Sequence, residues 1–263
     1  VFCFPDPRTD PWPLVYSPLP VTLVFTCCLS VVALGPSYMR QRLELRALLV
    51  TYNLPMVALS TYKFYEVRRL LVLANYSCPC QPVDYSRSEL GMRMARACWW
   101  FFFSEVIELL DPGRRAQPLS GTGAGNRYFL VRKGQSARTD QVTFLHMYHH
   151  GSMLFNWRSG VKYVTEGQAF FIGMLNSLVH IFMDGYYALA SLGPQMCWVE
   201  AFPDLAASFF HLFHCQFVAI AAHSSFSLFT ECPFPDGFDT TVFLHILALF
   251  LYLCYRTYVR GKQ

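Results

Sequence analysis

The residues of this chain best suited to chemistry are three histidines with helical spacing. They are His146, His149 and His150, within the sequence His-Met-Tyr-His-His. Because positions i, i+3 and i+4 share one face of an α-helix, we expect the three imidazoles to project to the same side. Imidazole can attack a carbonyl carbon, and it can donate or accept a proton. The spacing predicts a catalytic histidine box, and the alternative is a seam of histidines hydrogen-bonded between helices.

A second set of polar residues lies on an apolar stretch further along the chain. Asn176, His180, Asp184 and Tyr187 are spaced i, i+4, i+8 and i+11, so they follow one side of a helix. A lone histidine at such a place is more often a hydrogen-bonded core residue than a functional one. Because Asn176 precedes it by one turn and a histidine box lies elsewhere in the chain, we predict that His180 is functional.

Acidic residues and further histidines mark two other apolar stretches. Glu105, Glu108 and Asp111 recur at a spacing of three, and on one helical face this favours either a metal ion or basic partners. Asp111 also fits a solvated helix end. His211 and His214 are spaced i, i+3 but are flanked by phenylalanines, so packing and functional roles both stay open.

The composition indicates that helices in a membrane position these groups. The chain of 263 residues is 54% hydrophobic, 17% aromatic and 14% charged, whereas soluble domains carry about 25% charged residues. The mean hydropathy of +0.28 supports the same interpretation. A net charge of +4, without a long basic tail, does not favour nucleic-acid binding.

Seven apolar stretches are candidates for the membrane helices. A spanning helix needs roughly 20 mostly apolar residues. The stretches are 19–34, 47–65, 97–110, 142–157, 168–192, 205–222 and 241–258. The third and fourth are short and polar for lipid contact, so we expect them to pack inside the bundle. The sequence predicts an all-α integral membrane protein with one domain over residues 1–263 and a low-complexity insert at 112–126.

The distribution of basic residues predicts how the chain is oriented. Arginines and lysines cluster at 40–46, 114–138 and 256–262, and such clusters favour the cytosolic side of a membrane. Seven spans then place the C-terminus in the cytosol and the N-terminus on the lumenal side. Arg68, Arg69 and Arg87 run against this assignment, because they fall in a connection expected on the lumenal side.

Many segments, in the same order, resemble the very-long-chain fatty acid elongase (ELO) family. The stretch 141–150, which contains the histidine box, matches that family almost residue for residue. The other matching segments are Leu34–Pro36, Tyr52–Asn53, Val83–Ser86, Ser104–Asp111, Gly167–Phe171, Leu175–Ser177, His180 with Met183, Tyr186–Tyr187 and Cys232–Pro235. The resemblance covers nearly the whole chain except the insert, and it looks closest to animal members.

The resemblance implies an enzyme of the endoplasmic reticulum membrane. It implies seven spanning helices, six of which form an inverted barrel around an acyl tunnel. Enzymes of the family condense a long or very-long-chain acyl-CoA with malonyl-CoA, and they release 3-oxoacyl-CoA, carbon dioxide and free CoA. No cofactor and no metal are implied. Membrane lipid and other enzymes of the elongation cycle would be partners, and a homo-oligomer stays open.

The resemblance also implies roles for individual residues. His149 would be the nucleophile that forms an acyl-imidazole, His180 would carry a proton or stabilise an oxyanion, and His146 and His150 would orient and polarise the site. The substrate-binding residues would be Asn176, Tyr187, Glu108, Asp111, Arg132, Lys133, Gln216 and His223, with Arg132 and Lys133 meeting the CoA phosphates. Cys80 and Cys232 match loop cysteines that can form a disulfide in family members.

The chain departs from the family pattern on three of the apolar stretches. On the third, Glu105 stands where the family has lysine and Pro112 follows where it has threonine; on the fifth, Asp184 stands where it has tyrosine. On the sixth stretch Phe210 and Phe213 replace polar residues, and Gln216 is retained. We predict that Asp184 pairs with His180 and favours its imidazolium form.

Two other functions are compatible with parts of the sequence. A di-iron membrane desaturase or hydroxylase needs several histidine clusters, and this chain has a single His-x-x-His-His box. A catalytically weakened relative that binds acyl-CoA, or that scaffolds elongase partners, is suggested by Glu105 and by the insert. The retained histidines and Asn176 favour the enzyme.

Overall fold

The computed structural model describes residues 5–38, 46–77, 80–109, 136–165, 167–192, 203–230 and 236–255. Over these residues the chain forms seven helices and no β-strand. They are α1 (Leu19–Tyr38), α2 (Arg46–Leu73), α3 (Glu89–Glu108), α4 (Ser136–Tyr163), α5 (Ala169–Leu192), α6 (Pro203–Phe229) and α7 (Asp236–Cys254). Each helix overlaps one of the seven predicted stretches, which confirms the all-helical prediction.

Helices α2 to α4 extend beyond the apolar stretches that predicted them. α3 begins at Glu89, because the Ser88 Oγ accepts a hydrogen bond from the Gly91 amide at 3.0 Å and caps the helix. α2 continues to Leu73, so Arg68 and Arg69 lie in its last turns, with exposed side chains, and not in a loop as predicted. The third and fourth helices are therefore not short. The prediction missed their polar ends because it counted only apolar residues.

Helices α3 and α4 pack against each other inside the bundle, as predicted. Phe101 of α3 stacks on Trp157 of α4 with 5.0 Å between ring centroids, and Phe102 and Leu154 are buried in the same core. α2 lies along α5, and α6 packs on α7. α5 approaches α3 closely at Gly173, where an added Cβ would lie 2.8 Å from atoms of the Phe101 ring.

The N-terminal segment, residues 5–15, is bound to one end of the bundle. The Asp6 amide donates to the Lys162 carbonyl at 2.7 Å, and the Arg8 guanidinium donates to the Ser86 carbonyl at 2.6 Å and to Thr165 Oγ1 at 3.0 Å. Burial alone would raise the pKa of the Asp6 carboxyl. Hydrogen bonds from Arg8 and Thr165, with the charge of Arg8, outweigh burial and hold this pKa below its usual 3.8.

These contacts place three parts of the chain at the same end of the bundle. They are the N-terminal segment, the α2–α3 connection at Ser86 and the α4–α5 connection at Thr165. If successive helices cross a layer in alternating directions, the chain before α1, the α2–α3 connection and the α4–α5 connection all lie on the same side. The contacts of Arg8 agree with this alternation.

One helical stretch among the described residues, Ala169–Leu189, is long and apolar enough to cross a membrane by length and composition. Shorter apolar stretches are Leu19–Val31, Cys215–Phe229 and Thr240–Leu249. The all-helical architecture is consistent with an integral membrane protein. The insert at 112–126 lies outside the described residues.

Candidate active site

Six ionisable side chains from four helices meet in the interior. This buried charge cluster consists of Lys63 on α2, Glu105 and Glu108 on α3, His150 on α4, and His180 and Asp184 on α5, and each of the six residues is at most 5% exposed. Burying a charge is costly unless it is paired with another. Each charged group in the cluster is therefore stabilised by oppositely charged neighbours in the same cluster.

His150 connects α4 to α3 within the cluster. Its Nδ1 lies 2.9 Å from Glu105 Oε2 and 3.3 Å from Glu108 Oε2. The shorter distance is that of a charge-assisted hydrogen bond. Because an ionised carboxylate can only accept hydrogen bonds, it holds the His150 tautomer that carries hydrogen on Nδ1. The predicted orienting role of His150 thus has a physical basis in the acidic side chains of α3.

His180 connects α5 to the same carboxylate. Its Nε2 lies 3.5 Å from Glu108 Oε2, and its Nδ1 lies 3.4 Å from Asp184 Oδ2. The contact predicted between Asp184 and His180 is therefore present, at the distance of an ion pair. The predicted spacing of i and i+4 on one helical face brings these two side chains together.

His149 lies at the edge of the cluster and is only partly buried. Its ring centroid lies 5.1 Å from that of His150, and the His150 ring lies 6.5 Å from that of His180. The three imidazoles thus form a chain from a partly exposed ring to two buried ones. Of the three, His149 is the least buried.

His245 of α7 joins this group, and the sequence analysis missed it. Its ring is nearly parallel to that of His149, with 5.8 Å between centroids, and its Nε2 lies 3.3 Å from Ser152 Oγ. Tyr148 also stacks on it at 5.5 Å. The signal in the sequence was a single histidine within an apolar stretch, where an ionisable residue is costly. In the structure this histidine is 7% exposed.

Lys63 was also missed, although it is the most deeply buried charged side chain of the cluster. It shows no exposed surface, and its Nζ donates a hydrogen bond to Ser104 Oγ at 2.7 Å. Its charge interacts with those of Glu108, Glu105 and Asp184. A single lysine within an apolar stretch was the signal in the sequence.

The remaining predicted residues fall into three groups. Asn176 and Gln216 are buried, and the His223 ring stacks on Phe171 at 4.2 Å. Tyr187 is 41% exposed and contacts the Tyr186 ring at 5.7 Å, so its predicted role toward the substrate stays a prediction. The predicted residues that lie outside the described part of the chain are Asp111, Arg132, Lys133, Cys232 and the side chain of His146.

Cys80 is disulfide-bonded. Among the described cysteines, Cys27, Cys28, Cys98 and Cys215 are not disulfide-bonded. The predicted partner, Cys232, lies outside the described residues. The structure therefore assigns a disulfide to the α2–α3 connection, and its pairing with Cys232 stays a prediction.

Three residues of the cluster could also hold a metal ion. Glu105, Glu108 and His150 each offer one ligand atom, and these atoms lie within 4.8 Å of one another. The same carboxylates interact with the charge of Lys63 and with the two imidazoles. The cluster thus contains positive groups of its own to balance its acids, and a cation would compete with Lys63 for them.

A comparison with protein families assigns the chain to one that covers the histidines described above. A model of the ELO family, described as the GNS1/SUR4 family, matches residues 13–112 and 127–263. The chain belongs to this family. The break in the match, residues 113–126, falls within the low-complexity insert. ELO family proteins are membrane proteins, in agreement with the helical architecture.

Several curated members of the ELO family are similar to the chain over nearly its full length. Very long chain fatty acid elongase 4 of Homo sapiens is 36% identical over 263 residues, which cover 98% of this chain and 77% of the relative. Very long chain fatty acid elongase 7 of Drosophila melanogaster is 36% identical over 98% of this chain and 75% of its own length. Very long chain fatty acid elongase 1 of Homo sapiens is 33% identical, with 98% and 88% covered.

Proposed function

We propose that this chain is a very long chain fatty acid elongase, a 3-oxoacyl-CoA synthase that condenses a long or very-long-chain acyl-CoA with malonyl-CoA. The single observation that carries the proposal is the histidine chain, in which a partly exposed His149 adjoins two buried imidazoles bound to carboxylates. Family membership and the names of the relatives support the same activity.

In the first half of the reaction, a nitrogen of His149 attacks the thioester carbonyl of the acyl-CoA. A C–N bond forms, the C–S bond breaks, and free CoA leaves as its thiolate takes up a proton. The acyl group stays on the enzyme as an acyl-imidazole, which divides a difficult condensation into two easier steps. His180 lies beyond the His150 ring from His149. In this proposal its imidazole moves a proton or stabilises developing negative charge, and its carboxylate neighbours favour its imidazolium form.

In the second half, malonyl-CoA loses carbon dioxide and its enolate carbon attacks the held acyl carbon. A C–C bond forms and the C–N bond to His149 breaks. The departing His149 nitrogen takes up a proton, which restores the neutral imidazole, and the product is a 3-oxoacyl-CoA that is two carbons longer. No redox step occurs, so the reaction needs no cofactor, and we propose none and no metal. Asn176, Gln216, His223 and Tyr187 remain the proposed contacts for the substrates, together with Arg132 and Lys133 for the CoA phosphates.

The proposal includes a setting in the endoplasmic reticulum membrane. Seven helices would span the bilayer, with six in an inverted barrel around the acyl tunnel, the N-terminus in the lumen and the C-terminus in the cytosol. The disulfide at Cys80 supports a lumenal position for the α2–α3 connection, because disulfides persist in oxidising compartments. The other enzymes of the elongation cycle would act on the product.

A second candidate is a weakened relative that binds acyl-CoA or scaffolds elongase partners. Glu105 favours it, because the family pattern has a lysine at this position. The elongase is supported more strongly, since the histidine chain is complete among the described residues.

The deciding experiment is an elongation assay on microsomes that contain the full chain, with labelled malonyl-CoA and a panel of acyl-CoAs. We expect product from the wild type and a loss of at least about 100-fold in His149→Ala. His211→Ala is the matched control, because His211 is an exposed histidine of α6. Absence of product from the wild type with every acyl chain would overturn the enzyme and favour the acyl-CoA binder.

A trapping experiment tests the covalent step directly. Purified enzyme incubated with acyl-CoA alone should release CoA and gain the mass of one acyl group on a peptide that contains His149. The His149→Ala variant should gain no such mass. Wild-type activity without any acyl-enzyme would contradict the nucleophilic role of His149.

A further inference from the structure

Lys63 is a fully buried basic residue that the proposed reaction does not use. It lies on α2 and shows no exposed surface. Its Nζ donates a hydrogen bond to Ser104 Oγ at 2.7 Å and lies 5.2 Å from the centre of the Phe101 ring. A neutral hydroxyl and an aromatic face solvate an ammonium only in part. The charge of Lys63 therefore requires acidic partners to be stable in the interior.

The acidic partners come from the two helices packed against α2. Glu105 and Glu108 on α3 and Asp184 on α5 all interact electrostatically with Lys63. These are the same carboxylates that contact the imidazoles, because His150 binds Glu105 and Glu108, while His180 lies beside Glu108 and Asp184. Lys63 thus shares every one of its acidic partners with a histidine of the site.

The charges of the cluster show why this sharing matters. If the three carboxylates are ionised and Lys63 is protonated, the net charge of these four groups is −2. Protonation of the two imidazoles, or of two of the acids, would bring the net charge of the cluster to zero. Without Lys63, three negative charges would remain in a buried site. The number of protons that the cluster holds, and hence which atoms of Glu108, His150 and His180 can donate, depends on the charge of Lys63.

We propose that Lys63 is a positioning residue of the active site, which fixes how Glu108 is shared between His150 and His180 by balancing the carboxylates from α2. The inference rests on the proposed elongase function. Lys63 acts through the acids and touches no substrate. Among the described residues, the acids that interact with it are Glu105 and Glu108 from α3 and Asp184 from α5. His150 from α4 and His180 from α5 contact those acids.

The test compares Lys63→Met, Glu105→Gln and the double variant. Methionine keeps the length of the lysine stem and removes its charge, and glutamine can still accept the hydrogen bond from His150. Because Lys63→Met removes a positive charge, the remaining groups hold their protons more tightly. We expect kcat to fall by at least about tenfold, KM for acyl-CoA to change by less than about twofold, and the pH profile of kcat to move to higher pH.

The double variant Lys63→Met/Glu105→Gln removes one positive and one negative charge together. Its pH profile should return toward that of the wild type, and its kcat should exceed that of Lys63→Met. Lys162→Met is the matched control, since Lys162 is a buried lysine of α4 that pairs with Asp10 near the N-terminal segment. This control should change stability and leave the pH profile in place.

A second measurement separates this inference from the proposed function. Thermal unfolding in detergent of the same variants forms a double-mutant cycle that requires no activity. Coupling between Lys63 and Glu105 in this cycle supports the shared charge even if the protein proves to be an acyl-CoA binder. Two results would overturn the role of Lys63 and leave the proposed function intact. The first is an active enzyme in which Lys63→Met keeps the wild-type pH profile, and the second is an active enzyme in which the unfolding effects of Lys63→Met and Glu105→Gln are additive. If Lys63→Met does not fold while the double variant does, the charge balance is supported by that difference.

Discussion

Glu108 joins the two buried imidazoles of the site. Its Oε2 lies 3.3 Å from His150 Nδ1 and 3.5 Å from His180 Nε2. A single carboxylate between two histidines can pass the effect of a proton on one ring to the other, because both rings interact with the same charge. The histidine box on α4 and the histidine of α5 are therefore coupled through a residue of α3.

Glu105 changes sign relative to the family pattern, in which a lysine stands at this position. Lys63 of α2 is a buried basic residue that donates a hydrogen bond to Ser104 Oγ, next to Glu105 in α3. A positive charge on Lys63 would interact favourably with Glu105 and Glu108. Glu105 itself contacts His150 at 2.9 Å.

The pairing of Asp184 with His180 leads to a prediction at the level of single residues. Asp184→Asn preserves the shape of the side chain but removes a negative charge 3.4 Å from His180 Nδ1. Because the imidazolium loses its partner, we expect kcat to fall about tenfold and the pH profile of kcat to move to lower pH. The shift is opposite to that expected for Lys63→Met, since the charge removed has the opposite sign.

The measurement is the elongation rate between about pH 5.5 and 8.5, a range around the usual pKa of histidine. Asp184→Tyr restores the residue of the family pattern and serves as the second variant. A higher turnover of Asp184→Tyr with an unchanged pH profile would show that the pairing of Asp184 with His180 has no part in catalysis.

At the level of elements, α5 can approach α3 closely because Gly173 has no side chain. A Cβ at this position would lie 2.8 Å from Cε2 and Cζ of Phe101. Phe101 has no space to retreat, because it is buried and stacked on Trp157 at 5.0 Å. The close approach keeps His180 of α5 near Glu108 of α3, so the packing of the two helices decides the geometry of the site.

We predict that Gly173→Ala destabilises the protein by about 1–3 kcal/mol, the usual cost of overpacking a core. Gly185→Ala on the same helix is the matched control, because a Cβ there meets no atom within 4 Å. It should change the free energy of unfolding by no more than about 0.5 kcal/mol. Denaturant unfolding in detergent measures both variants.

The double variant Gly173→Ala/Phe101→Leu provides the internal check on this explanation. Leucine removes the ring that the new methyl group would meet, so the second substitution should cost less in the Gly173→Ala background than in the wild type. Equal effects of Gly173→Ala and Gly185→Ala would mean that the approach of α5 to α3 does not depend on this glycine.

At the level of the whole molecule, one end of the bundle is tied together by polar contacts and a disulfide. Arg8 donates to Ser86 and Thr165, and Cys80 is disulfide-bonded in the α2–α3 connection. The pKa of Asp6 is held below 3.8, so the ion pair with Arg8 contributes stability at neutral pH and loses it only as the pH falls through the lowered pKa. The ion pair between Asp6 and Arg8 is therefore expected to stay formed at physiological pH.

The disulfide leads to a prediction for the stability of the whole chain. Cys80→Ser should lower the free energy of unfolding by about 2–4 kcal/mol, the usual contribution of a disulfide. A reductant should lower the melting temperature of the wild type toward that of the variant and leave the variant unchanged. Cys215→Ser is the matched control, since Cys215 is a free and exposed cysteine.

The identity of the disulfide partner follows from the same measurement. If Cys232 is the partner, Cys232→Ser should lower the melting temperature as much as Cys80→Ser, and the double variant should be no less stable than either. Additive losses in the double variant would assign the partner of Cys80 to another cysteine.

The elements of the fold and half of the site could be predicted because their signals are local. The apolar stretches predicted all seven helices, and the spacing of His149 and His150 placed both rings at the site. The contact between Asp184 and His180 follows from helical periodicity alone. The prediction failed at Lys63 and His245, because each is a single polar residue in an apolar helix and no neighbour in the sequence indicates its partners.

The sequence by itself determined which segments are helical, which of them carry imidazoles and to which family the histidine box is similar, because composition and periodicity are properties of short segments. Only the tertiary structure decided that a lysine from α2, two acids from α3 and a histidine from α7 lie around those imidazoles. Contacts between distant segments depend on how each helix is rotated and how closely it packs, as Gly173 against Phe101 illustrates. A buried charge is stable only where opposite charges are near, and this requirement joins α2, α3, α4 and α5 into one site.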